Sequence, residues 1–283
     1  FVRTTKSILL PIIFFLQVMA FTSPEARAGS WYEIPDESER FIEMGPASKN
    51  QRLQREFSIL VWNIYKGKKA TFKQDFQGLI GDKDIIMVQE AFLTDDLETF
   101  FLQDVDFHSW FASSFAYKKS GDKTGVMTGS KTQTLDAFYK VSPYREIVGN
   151  TPKVALFTSY KIMGIHHPLI VANIHAINSV TASMHQAHID QVFQVLASHP
   201  GPAVLAGDFN TWSKKKLNYL KDKAKNNGLK EVYFPDGDER MHTFGYPLDH
   251  VFLRGLCARN AQVHGEIQGS DHKALSLKVH SCR

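Results

Sequence analysis

The stretch PAVLAGDFNTW, residues 202–212, decides the fold. Its first half, Ala203 to Ala206, is a short apolar run bounded by Pro202 and Gly207. An apolar run of this length without polar alternation predicts a strand covered on both faces. Its second half turns polar at once, at Asp208, Asn210 and Thr211. A buried strand that ends on a carboxylate and an amide sets polar groups at the rim of a core. That arrangement costs free energy unless something uses them.

The same pattern recurs on both sides. FSILVWNIY (57–65) holds Asn63 near its end, and DIIMVQE (84–90) ends on Glu90. PLIVANIHAI (168–177) carries Asn173 and His175, and KVALFTSYKI (153–162) reads as its hairpin partner across the MGIHH turn. DHVFLRG (249–255) starts on Asp249, and Asp271-His272 open the last run, HKALSLKVH (272–280). Residues 107–117 and 125–131 read as further strands. Between the strands, Phe72, Phe76 and Leu79 recur at helical spacing, as do Ile189, Val192, Phe193 and Leu196 within 182–198. A helix is also expected near 94–103. Ser213 caps another that turns Leu217, Leu220 and Ala224 inward and ends at Asn226-Asn227-Gly228. Strands covered on both faces, with helices between them, predict a layered α/β sandwich.

Composition agrees with one globular domain. The chain has 283 residues, 43% hydrophobic and 22% charged, which excludes disordered and fibrous classes. No repeat or linker divides it, so the domain is expected over 56–283 behind a polar leader at 29–55. Residues 1–28 read differently. Arg3 and Lys6 precede a 14-residue apolar run, Ile8 to Phe21, and Ala26-Arg27-Ala28 offers a cleavage site. The run contains Pro11 and falls short of the ~20 apolar residues a membrane span needs. A signal peptide cleaved after Ala28 is expected, giving an exported protein, periplasmic or secreted, with no stable membrane anchor. Cleavage removes Arg3, Lys6, Arg27 and Glu25, so the formal charge of +4 falls to +2 and says little about partners. Cys257 and Cys282 both lie in the exported part, so a disulfide is expected, with two free thiols as the alternative.

The polar strand ends make a coherent set for phosphate-ester hydrolysis. Such a reaction is very slow unaided, so catalysis must come from positioning and charge stabilisation. Mg²⁺ takes hard oxygen ligands, which Asn63, Glu90 and Asp271 supply. Asp208 can take the proton of an attacking water, with Asn210 holding substrate or nucleophile. His272, its tautomer set by Asp249, can face developing negative charge, and His175 offers a second imidazole.

VWNIYKG (61–67), VQE (88–90), NIHAIN (173–178), AGDFNTW (206–212), PLDHVFLRG (247–255) and SDHKAL (270–275), in this order, resemble the endonuclease/exonuclease/phosphatase family. The resemblance covers about residues 57–281 and looks closest to a bacterial branch without assigned activity. It implies a four-layer α/β sandwich with two central β-sheets flanked by helices. It also implies metal-dependent ester hydrolysis, as in deoxyribonucleases, inositol polyphosphate phosphatases and neutral sphingomyelinases. By motif, Asn63, Glu90 and Asp271 match the family's metal positions; His175, Asp208, Asn210, Asp249 and His272 match its catalytic ones. Mg²⁺ is the implied cofactor, with Mn²⁺ or Ca²⁺ as substitutes. The substrate is a phosphate ester, with nucleic acid as the leading expectation. Phosphorylated small molecules or lipid head groups, or a binding protein that lost the chemistry, are the alternatives.

Candidate substrate contacts are Lys66, Lys153, Asn173 and Asn178. Lys214, Lys215 and Lys216 open a helix just after Asn210, where a solvated face is the plain expectation. His185 and His188 lie one helical turn apart; a second metal site is conceivable there, but a partly exposed helix face is the reading preferred. No feature calls for an obligate protein partner, and a monomer is expected.

Overall fold

The apolar runs become the strands of two sheets packed face to face. The computed structural model describes residues 31–282 except 49, 236 and 237. The expected signal segment therefore lies outside the described residues. In chain order the first strands are β1 (Tyr32–Glu33), β2 (Phe41–Met44), β3 (Glu56–Asn63), β4 (Ile85–Leu93), β5 (His108–Tyr117) and β6 (Lys123–Ser130). Next come β7 (Asp136–Val141), β8 (Val154–Tyr160), β9 (Leu169–His175) and β10 (Ala203–Asp208). The last are β11 (Lys230–Glu231), β12 (His242–Thr243), β13 (Tyr246–Pro247), β14 (Asp249–Arg254), β15 (Leu256–His264) and β16 (Ala274–Ser281). The α-helices are α1 (Glu37–Arg40), α2 (Phe72–Ile80), α3 (Asp95–Gln103), α4 (Ala182–Ser198) and α5 (Lys214–Asn226).

One sheet runs β1-β5-β6-β4-β3-β16-β15, with β2 also on β5; the other runs β11-β14-β10-β9-β8-β7. Two neighbouring pairs are parallel, β3 with β4 and β9 with β10. A parallel pair needs a crossover, and α2 and α4 supply them. Alternation along each strand then builds the layers. Phe57, Ile59 and Val61 of β3 meet Val204 and Ala206 of β10 between the sheets. Leu60 and Trp62 point the other way, onto Phe72, Phe76 and Phe100 of α2 and α3. Ala203 and Leu205 point onto Ile189, Val192 and Leu196 of α4 and Leu220 of α5. Helix, sheet, sheet and helix make the four layers.

Three differences from the sequence reading have one cause. The stretch expected as a polar leader supplies β1 and β2, which pair with β5, so the folded unit starts at Trp31. β7 and β15 were not expected at all. All of these are edge or short strands with one face toward water, so they carry no apolar run to betray them. The disulfide is formed: Cys257 on β15 joins Cys282 just beyond β16, with the Cα atoms 5.1 Å apart.

Candidate active site

The polar strand ends meet at one edge of the sandwich. In the second sheet, Asp208 pairs in register with His175 on one side and Asp249 on the other. In the first, Asn63 ends β3 between β4, which carries Glu90, and β16, which follows Asp271. The two sheets are joined there by Asn63, whose Nδ2 donates to Asp208 Oδ2 at 3.0 Å. Asp208 Oδ1 accepts the backbone N–H of Asn210 at 2.9 Å, and Asn210 Nδ2 donates to Ala176 O at 2.9 Å. His272 Nδ1 donates to Asp249 Oδ2 at 2.7 Å. The other ring nitrogen of His272 lies 3.9 Å from Asp208 Oδ2, and His175 Nε2 lies 3.5 Å from the same oxygen.

This geometry separates the charge states of the three groups. Burial alone would deprotonate His272, but Asp249 first and then Asp208 and Asp271 hold its pKa up at about 10. Burial pushes Asp208 up to about 7, with Asp249 adding to the rise; the His272 imidazolium and the donors Asn210 and Asn63 oppose it. His175 is held neutral by burial and by the cations Lys153, His272 and Lys66, well below its usual value. One imidazolium, one neutral imidazole and one carboxyl near neutrality therefore share a few ångströms. Pairs whose surroundings drive their pKa values apart are what acid–base chemistry needs.

Several of these residues sit on costly backbone. Tyr65, Lys66, Glu90 and Asn210 all have φ between 50° and 57°. For residues other than glycine such conformations cost on the order of 1 kcal/mol each and collect where geometry serves function. At Glu90 the cause is a bulge: the β4–β6 register slips between Gln89 and Ala91. Lys66 is turned back so that its Nζ donates to Tyr117 Oη at 2.9 Å. Burial works against that ammonium, but Tyr117 and Glu90 keep it charged, with its pKa above the usual value.

The donors for a divalent cation are hard oxygens. Glu90 and Asp271 flank Asn63: Asn63 pairs with Gln89, and Ser270 Oγ donates to Asn63 O at 2.6 Å. Asp208, Asp249 and His272 also bring one ligand atom each within 4.8 Å of one another. The Asp249–His272 pair is already closed by a proton, so it binds a cation only if that proton leaves. The carboxylates of Glu90, Asp271 and Asp208 fit Mg²⁺, Mn²⁺ or Ca²⁺ better than a softer metal. Asn63, expected beside the metal, also has a task within the protein. Its Oδ1 accepts the Tyr65 N–H at 3.1 Å and its amide holds Asp208, so it orients the carboxylate.

Residues 60–272 match the Endonuclease/Exonuclease/phosphatase family. The chain belongs to it. It is 32% identical over 282 residues to a UPF0294 protein of Vibrio parahaemolyticus, covering 97% of this chain and 96% of that one. Among solved structures, an endonuclease/exonuclease/phosphatase of Beutenbergia cavernae superposes with a TM-score of 0.62 at 14% identity, over 80% of this chain and 72% of that one. A mannosyl-6-phosphatase of Bacteroides thetaiotaomicron gives 0.56 at 13% identity, over 79% and 99%. At such identities the superpositions establish the fold alone. Members of the family are phosphoester hydrolases related to nucleases and phosphatases, and they typically depend on a divalent metal.

Within this family member, other polar residues support the site, and the sequence reading missed them. Ser270 Oγ also accepts the His272 N–H at 3.2 Å, and Trp62 Nε1 donates to His272 O at 3.0 Å, so two groups set the His272 backbone. His250, buried behind Asp249, meets Thr211 Oγ1 at 2.9 Å and Glu231 Oε1 at 2.7 Å. Ser270 and His250 adjoin Asp271 and Asp249 in sequence, whereas only strand pairing brings Trp62 to His272.

Three expectations are corrected here. Asn173 is not a substrate contact. It is fully buried between the sheets, where Oδ1 accepts Gln89 Nε2 at 2.6 Å and Nδ2 donates to Met127 O at 2.8 Å. Both ends of its amide serve the core. His185 and His188 do not lie on an exposed helix face; both are fully buried. His185 Nε2 donates to Phe209 O at 2.7 Å, and His188 Nδ1 accepts the Ile177 N–H at 3.2 Å. Thus α4 holds the two chain segments that follow His175 and Asp208. Lys216 is not on a solvated face either: it is 1% exposed, with Nζ 4.1 Å from the centre of the Trp212 ring.

Proposed function

We propose that the protein is an exported, Mg²⁺-dependent phosphodiesterase acting on nucleic acid. The observation that carries this reading is the array Asp249–His272–Asp208–His175, in which a carboxyl near neutrality sits between a charged and a neutral imidazole. Asp208 takes the proton of the attacking water; Asn63 and the Asn210 N–H fix the direction of its lone pairs. The His272 imidazolium, kept charged by Asp249, faces the phosphoryl oxygens where negative charge grows. His175 stays neutral and so orients without repelling that cation. A divalent ion held by Glu90 and Asp271 would act as a Lewis acid on the phosphate. Lys66, beside Glu90, offers a phosphate contact, and the exposed Lys214 and Lys215 offer backbone contacts along a longer chain. Export rests on the pattern of residues 1–28 and is supported by the disulfide, which suits an oxidising compartment.

A second reading, hydrolysis of phosphorylated lipid or small-molecule head groups, is favoured by one feature. Ile147, Val148 and Phe244 are 71%, 75% and 82% exposed. They are linked to the site through Glu146, which binds Asn178, and through Trp212, which touches Phe244.

The deciding experiment incubates the protein from Gly29 with supercoiled plasmid, with Mg²⁺ or with EDTA, beside a His272→Ala variant. Nicking that requires both Mg²⁺ and His272 is expected. Nicking that survives EDTA or His272→Ala would sink the site assignment. Failure to nick, with hydrolysis of an inositol phosphate or a lipid head group, would move the substrate to the second reading.

A further inference from the structure

Beside His175 lies a second cluster whose parts do not belong to the array above. Glu146, on the segment between β7 and β8, has a side chain only 13% exposed. Its Oε1 accepts the backbone N–H of Asn178 at 2.8 Å. Its Oε2 accepts Thr151 Oγ1 at 3.5 Å and lies 3.7 Å from Lys153 Nζ. The Asn178 donor is held in place: its Oδ1 accepts Trp212 Nε1 at 2.9 Å and the Ser179 N–H at 2.7 Å, with Ser179 at φ 51°. Lys216 completes the set. Its buried Nζ has no hydrogen-bond partner, and among the described charges Glu146 is the one that favours its ammonium.

The charge balance of this cluster is uneven. The Glu146 carboxylate meets one ammonium, one amide N–H and one hydroxyl directly, while a second ammonium, Lys216, stands over the Trp212 ring with no hydrogen-bond partner. A buried ammonium without an acceptor is costly, and Lys216 shows it: burial drives its pKa down to about 8, against the pull of Glu146. A phosphate group carries more charge and more acceptor oxygens than a carboxylate, so it would satisfy donors that Glu146 leaves unmet. Lys153 ties the cluster to the reaction centre, since its charge also acts on His175.

We propose that the Asn178 N–H, Lys153 and Lys216 form a subsite for a non-scissile phosphate of the substrate, filled in this structure by the chain's own Glu146 carboxylate. The proposal rests on the phosphodiesterase reading for its biological sense, but the binding it predicts does not. Glu146 then acts as a built-in competitor that a second phosphate must displace. A substrate with only the scissile phosphate leaves Glu146 in place; a polyphosphorylated one gains the subsite.

The test is calorimetric titration of the protein from Gly29 with inorganic phosphate in the presence of EDTA, so that neither a metal nor turnover enters. Glu146→Gln removes the competing charge and keeps the shape of the side chain, with Glu146→Ala as the second variant; thermal melting confirms folding of each. Removal of one competing charge is expected to tighten phosphate binding about tenfold. Adding Lys216→Met to Glu146→Gln is expected to cancel the gain. Unchanged or weaker binding in both folded Glu146 variants would overturn the proposal. A gain that persists without Lys216 would overturn it too, because the phosphate would then sit elsewhere. Competition identifies the source: displacement by a 5′-phosphorylated dinucleotide points to a nucleic-acid chain, and by an inositol bisphosphate to a small ligand. A failed plasmid assay with positive phosphate binding would remove the nuclease reading and leave the subsite standing.

Discussion

His272 and the pair His185/His188 are all buried, yet they occupy opposite charge states. His272 is held up at about 10, whereas His185 falls to about 4 and His188 to about 3. Burial pushes all three toward the neutral form; what differs is the partner. His272 donates to a buried carboxylate, Asp249, with Asp208 close on its other side. His185 and His188 meet only backbone groups: Phe209 O accepts from a neutral ring as well as a charged one, and the Ile177 N–H needs the lone pair of a neutral ring. Of these three buried histidines, the one that a carboxylate reaches keeps its charge, and the two that meet backbone alone stay neutral.

The comparison can be broken most sharply by activity. His272→Ala should lower kcat/KM by about a thousandfold, the scale of losing a charge-stabilising group at the transition state. His185→Gln and His188→Gln should stay within about threefold, less than 1 kcal/mol of barrier. Steady-state kinetics on the folded variants decides; a thousandfold loss at His188 would erase the distinction.

Stability against pH sharpens it next. In chelator, the folded pKa of His272 lies above its unfolded value of about 6.5. Its contribution is therefore fully present below about pH 6.5 and is lost as pH rises through about 10. The folded values of His185 and His188 lie below that unfolded value, so their contributions are present above about pH 6.5 and shrink as pH falls toward 4. Asp208, raised by burial, opposes the pair over the acid range, so each variant should be compared with wild type at the same pH. Urea titrations should show His272→Gln losing the alkaline decline and His188→Gln losing part of the acid one. An alkaline decline unchanged in His272→Gln would show that Asp249 does not hold the charge.

The smallest effect expected is structural. His188→Ala strands the Ile177 N–H inside the protein, at a cost of about 2 kcal/mol. Chemical denaturation checks this, and a loss below about 0.5 kcal/mol would mean that the α4 contact is not a clamp.

Much of the fold was legible because covered strands advertise themselves. The run Ala203 to Ala206 and the helix stripe at Ile189, Val192 and Leu196 both appear where their patterns place them. The edge strands β7 and β15 did not, since a strand with one wet face shares its composition with a loop. The site divides in a similar way. Asp208, Asp249 and His272 stood out as polar ends of apolar runs, and the structure brings them together. Asn173 had the same signature and proved to be a clamp between the sheets.

By itself, then, the sequence determined which residue types end which strands, because hydrophobic period and polar termination are local properties. Only the tertiary structure decided what each polar group does. Charge state and hydrogen-bond saturation depend on which side chain arrives from elsewhere along the chain: Asp249 at His272, Gln89 at Asn173, Glu146 at Lys153. Those partners are 23, 84 and 7 residues away along the chain. The low-dielectric space that gives such pairings their strength exists only once the sheets have closed on each other.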